Sequence, residues 1–121
     1  MTTEVLVCVT CRAVGSSREA PRAGRLLFEA IQDKAFVDEL PFAIRPIECM
    51  SGCSRSCTVA LQAPGKHSYL FGDLAADNDS ISQILDCAQL HATNSHGLLP
   101  REKRPERLQN GLIARLPAPL S

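Results

Sequence analysis

Glu4-Val-Leu-Val-Cys8-Val-Thr-Cys11 is the stretch on which the reading of this chain turns. It is β-branched and apolar, of strand length, and its hydrophobic character is nearly continuous, which predicts a buried strand. That strand delivers a Cys-x2-Cys pair at its end. Arg12 to Arg22 follows, rich in Gly, Ser, Arg and Pro, and reads as a loop leading to a helix. From Ala23 to about Ala35, Leu27, Ala30, Ile31 and Ala35 recur at helical spacing, while Arg25, Glu29, Gln32 and Asp33 face water, so this is an amphipathic helix. Pro41 bars its continuation. Phe42 to Cys49 resumes as a second strand, and Pro46 places it at an edge or bends it.

Two further strand-like runs, Cys57 to Ala63 and Lys66 to Leu74, flank Ala63-Pro64-Gly65-Lys66. Proline at the second turn position and glycine at the third make a type II turn, so the two runs form an antiparallel hairpin. A last helix starts at Asp77 or Asp79, either of which can cap it, and buries Ile81, Ile84, Leu85 and Ala88. Gly97 marks its end or lies soon after. The order βαβ, then ββα, predicts an α/β domain over residues 1–97, a small mixed sheet of about four strands with two main helices. Residues 98–121 carry Pro100, Pro105, Pro117 and Pro119, a density that argues against regular helix or central strand. They read as a C-terminal tail packed on the domain, with a partner-docking arm as the functional alternative.

The 121 residues include 45% hydrophobic and 21% charged side chains, as a globular domain requires, and a formal net charge of zero. Balanced charge supplies no reason to expect nucleic acid or membrane binding. The N-terminal residues have neither the basic segment nor the apolar stretch of a signal peptide, and the chain reads as cytoplasmic. Gly-x4-Gly-Lys-Ser/Thr is absent, and no paired carboxylates or Ser/His/Asp set point to an enzyme.

Six cysteines then require an explanation, because clustered cysteines in a reducing compartment are more often metal ligands or redox groups than disulfides. Cys8 and Cys11 follow the first strand, and Cys49, Cys53 and Cys57 form Cys-x3-Cys-x3-Cys beyond the second. Strand exits in an α/β sheet gather in one crevice, so the two groups can meet. Soft thiolates in fours hold iron–sulfur clusters or zinc. Ser51, Gly52 and Ser54 offer donors to cluster sulfurs, and Arg55 offers charge to offset the site. Cys57, heading an apolar strand, reads equally as a buried core residue, and Cys87, on the inner face of the last helix, reads as core. A redox dithiol at Cys8 and Cys11 would gain thiolate character from a helix N-terminus, but the next helix begins some ten residues later. His67, His91 and His96 read as satisfied or solvent-exposed side chains.

Val5 to Cys8, Cys49-Met-Ser-Gly-Cys53 and Tyr69-Leu-Phe-Gly-Asp-Leu74 together resemble the thioredoxin-like [2Fe–2S] ferredoxins over roughly residues 4 to 95. Val7-Cys-Val-Thr-Cys-Arg12, the run Cys49 to Cys57, Pro64 to Leu74, Arg104-Pro-Glu-Arg107 and Ala114-Arg-Leu-Pro117 also resemble a bacterial family of unknown function described as small predicted metal-binding proteins, whose members tend to be associated with cobalamin and metal-homeostasis genes. The resemblance implies a thioredoxin-like fold and a [2Fe–2S] cluster held by Cys8, Cys11, Cys49 and Cys53, with Cys57 as a substitute for Cys11. In the ferredoxins the second ligand lies further from the first than Cys11 does from Cys8. The activity implied is one-electron transfer to a redox partner protein, not catalysis. A homodimer is compatible with the resemblance and required by nothing in the residues. A zinc or cobalt protein and a thiol oxidoreductase are the alternatives.

Overall fold

The structure, a computed structural model, describes residues 3–12, 22–48 and 55–118. Its elements run β1 (Glu4–Cys8), α1 (Ala23–Val37), β2 (Ala43–Ile47), β3 (Val59–Gln62), β4 (Ser68–Phe71), α2 (Asn78–Thr93), a 3-10 turn (Arg101–Lys103), α3 (Glu106–Asn110) and β5 (Leu112–Leu116). They build one five-stranded sheet in the order β2-β1-β3-β4-β5. β1 pairs parallel with β2 and antiparallel with β3, so the cysteine-bearing strand lies inside the sheet, as its apolar sequence requires. β2, with Pro46, is an edge strand, where a residue without a backbone donor is tolerated.

Val5 and Val7 stand opposite Leu61 and Val59, which in turn stand opposite Tyr69 and Phe71. These six side chains line one face of the sheet and are almost wholly buried. Leu27 and Ile31 of α1 and Ile84, Leu85 and Ala88 of α2 complete the same core. The hairpin turn is the one the sequence predicts: Lys66 N–H donates to Ala63 O at 3.2 Å, and Gly65 takes a φ of 73°. Asp77 caps α2, its side chain accepting from Ser80 N–H at 2.7 Å. At the other end of α2, Lys66 Nζ donates to the His91 and Ala92 carbonyls, placing a cation at the negative pole of the helix.

The segment expected as a surface tail is part of the sheet. β5 pairs antiparallel with β4, so the sheet has five strands rather than about four. A short helix, α3, also forms where the prolines argued against helix. Pro105 stands immediately before it as N-cap, a place where a missing backbone donor costs nothing. Leu99 and Leu108 are buried in the core, and Leu99 N–H donates to the Tyr69 hydroxyl at 2.8 Å. The first turn of α3 is tied to the start of α2 through Arg107, which donates to Asp77 and Ser80. Among the described residues no helix is long and apolar enough to cross a membrane.

Candidate metal centre

β1 ends at Cys8, and the chain turns at once through Val9 and Thr10 to Cys11. The turn is held from three sides. Val9 N–H donates to Ile47 O at 2.9 Å, the Thr10 hydroxyl donates to Glu48 O, and Arg22 donates to Thr10 O at 2.7 Å. α1 begins against the same turn, although it lies about ten residues on in sequence. Gly24 N–H donates to Cys11 O at 3.0 Å. The contact is close enough that a Cβ on Gly24 would stand 1.9 Å from Cys8 O, so only glycine fits the first turn of α1.

The result is a buried thiol pair. The Cys8 and Cys11 sulfurs are 3.0 Å apart, longer than the roughly 2.05 Å of a disulfide, and both side chains are almost fully enclosed. Cys57 lies nearby, immediately before Thr58, where the β3–β4 pairing continues as a reciprocal pair of hydrogen bonds between Cys57 and Leu74. It is close enough to both that their negative charge would disfavour its own ionisation. Cys87 is elsewhere, on the core side of α2, as its helical position predicts.

Electrostatics at these sulfurs favour the neutral thiol. Burial is the largest cause at each: it raises the Cys11 thiol, pushes Cys57 up to about 11 and pushes Cys87 up to about 12. For Cys11 the bond to Cys8 raises it further, while the hydroxyl and backbone N–H of Thr58 pull the other way. A redox dithiol needs a depressed thiol, and although the start of α1 does return to the pair, its Gly24 N–H is spent on a carbonyl rather than on sulfur. The helix is thus nearer than its place in the sequence suggests.

Cys49 and Cys53, with Ser51, Gly52 and Ser54, lie outside the described residues. The chain leaves the described region at Glu48, whose carbonyl is 3.9 Å from Cys8 Sγ, and returns at Arg55, two residues before Cys57. Among the described residues alone, no group of three metal-ligating side chains closes on one point. Arg55 does not supply charge to the thiols: its guanidinium pairs with Asp73, which lies beyond β4, and that pairing holds it protonated. His91, read from the sequence as satisfied or solvent-exposed, is fully buried between Thr3 and His67 O. Two threonines were not legible as site residues. Thr10 lies 3.7 Å from Cys8 Sγ and Thr58 lies 3.8 Å from Cys11 Sγ, and no motif marks a threonine two residues into a turn or at the head of a strand.

Solved structures share this architecture. A thioredoxin-like [2Fe–2S] ferredoxin from Aquifex aeolicus superposes with a TM-score of 0.58 at 19% identity, over 99% of this chain and 97% of that one. A second structure, of the wild-type form of such a ferredoxin from the same organism, gives 0.51 at 21% identity over 93% and 97%. At such identities the likeness is one of fold, and the fold is thioredoxin-like. None of the curated proteins matches the chain. A family model, described as protein of unknown function (DUF1636), matches residues 5–118, almost the full length, and the chain belongs to that family.

Proposed function

We propose that this protein is a thiolate metal-binding carrier whose centre is a [2Fe–2S] cluster held by Cys8, Cys11, Cys49 and Cys53. The observation that carries the reading is the buried Cys8–Cys11 thiol pair at the end of β1, beside Glu48, which hands the chain directly to Cys49. Two thiols held 3.0 Å apart and buried without a disulfide between them, with the buried Cys57 near enough to feel their charge, fit soft-metal chemistry. A metal ion can displace the thiol protons that burial favours. The fold shared with [2Fe–2S] ferredoxins supports iron and sulfide as the occupant. The cluster would supply one-electron transfer. The chain's own residues hold the sulfurs and shield them from water, and the partner is a redox protein of the cytoplasm, not a small-molecule substrate.

Absorption spectroscopy of anaerobically purified protein, with iron, zinc, cobalt and acid-labile sulfide assayed on the same sample, tests this. Near-equal iron and sulfide with broad visible bands is the expected result. A colourless protein with stoichiometric zinc that resists cluster reconstitution would leave a zinc protein instead, a reading that the Cys8–Cys11 pair also suits. Reversible disulfide formation with no bound metal would point to a thiol oxidoreductase. Ligand choice is tested by Cys11→Ser and Cys57→Ser. The first is expected to lose the centre, and loss only in the second would make Cys57 the fourth ligand.

A further inference from the structure

Thr58 is fully buried between Cys57 and Val59, immediately before β3, on the face opposite to that of Val59 and Leu61. A valine would serve that position as well, since it has the same branched shape, and a buried hydroxyl is costly unless it is hydrogen-bonded. Among the described residues the hydroxyl has one partner, Cys11 Sγ at 3.8 Å. The direction of that bond follows from the neighbours. Cys11 has a single S–H, which donates to Cys8 Sγ, so the threonine hydroxyl is the donor. Cys57 differs: among the described residues, burial and the charges of Cys8 and Cys11 act on its sulfur, and no donor does.

A neutral thiol is a weak acceptor, so a donor held on that sulfur is better used by a sulfur bound to metal than by the protonated form. We infer that Thr58 is a positioning residue for the metal centre, its buried hydroxyl orienting Cys11 Sγ as the fourth thiolate ligand in preference to Cys57. This rests on the metal-binding reading above and deepens it. The hydroxyl draws electron density from the sulfur, which strengthens the competition of metal against proton there and makes a bound redox metal easier to reduce.

The test uses the full chain titrated anaerobically with cobalt(II), whose thiolate charge-transfer bands report sulfur ligation. Thr58→Val keeps shape and strand preference and removes one donor, while Thr58→Ser keeps the donor. Thr58→Val is expected to weaken cobalt binding about tenfold, the lower end of what loss of a supporting hydrogen bond costs a metal site, because the hydroxyl–sulfur contact is a long one at 3.8 Å. Its charge-transfer band moves to lower energy, since the sulfur lone pair has lost a stabilising donor, and Thr58→Ser restores both. Thermal unfolding of the apo-proteins serves as the control, with Thr58→Val expected to be at least as stable as the parent. Unchanged cobalt affinity and spectrum in a folded Thr58→Val would overturn the role of Thr58 and leave the metal-binding reading intact. Failure of the parent chain itself to take up cobalt, zinc or iron would overturn both.

Discussion

At the scale of single residues, two side-chain environments carry consequences that composition conceals. Gly24 sits inside a helix, where alanine would ordinarily be favoured by about 1 kcal/mol. Here the added methyl would collide with the Cys8 carbonyl, and α1 cannot withdraw without leaving Cys11 O unpaired. Gly24→Ala is therefore expected to destabilise by roughly 1–3 kcal/mol, as overpacking does, and to weaken metal retention at the adjacent thiols. Urea unfolding of the apo-protein reads the first effect, and unchanged or raised stability would show that the helix start can shift. His91 is the second case. Its Nε2 faces a carbonyl and must carry the proton, so Nδ1 accepts from the Thr3 hydroxyl and the ring is neutral. Burial is the main cause that holds its pKa below the ordinary value near 6.5. The unfolded chain then takes up a proton before the folded one does. Stability is full above about pH 6.5 and falls as the pH drops toward the lower folded value. Denaturant midpoints measured from pH 7.5 to 5 are expected to fall in the parent and to fall less steeply in His91→Gln. Parallel slopes in the two would remove His91 as the cause.

At the scale of elements, periodicity did most of the work. The run from Val5 to Cys8 is apolar at every position, and it is an interior strand. Leu27, Ile31 and Ala35, and Ile81, Ile84, Leu85 and Ala88, are buried on the helix faces that their spacing assigns. The Pro64-Gly65 turn and the Asp77 cap were equally legible, because each depends on chemistry within four residues. The last segment was harder. Its strand is five residues long and half exposed, and its helix is a single turn, so neither presents a period long enough to read. Both exist through contacts with β4 and α2. Leu108 makes this measurable: it is fully buried, and Leu108→Ala is expected to cost about 2–5 kcal/mol in urea unfolding. A cost below about 0.5 kcal/mol, usual for surface positions, would return the segment to the status of a tail laid on the surface.

At the scale of the whole molecule, the sheet order explains why cysteines far apart in sequence can approach one end of the sheet. β1 lies between β2 and β3, so the residues after β1, after β2 and before β3 meet at one end of the sheet. Those are the places of Cys8 and Cys11, of Glu48 leading to Cys49, and of Cys57. The cysteine count and spacing alone pointed to a thiolate site, because few other roles account for five clustered thiols, and the alternation of apolar runs alone pointed to an α/β domain. Both are local properties, carried by neighbours along the chain. Tertiary structure decided which sulfurs stand together, that α1 abuts Cys11, that Arg55 is taken up by Asp73, that Thr58 aims its hydroxyl at one sulfur, and that the final residues close the sheet as β5. Each of these joins residues far apart in sequence. Their formation depends on burial and backbone pairing with a distant partner, and neither leaves a periodic trace in the segment that supplies only half of the contact.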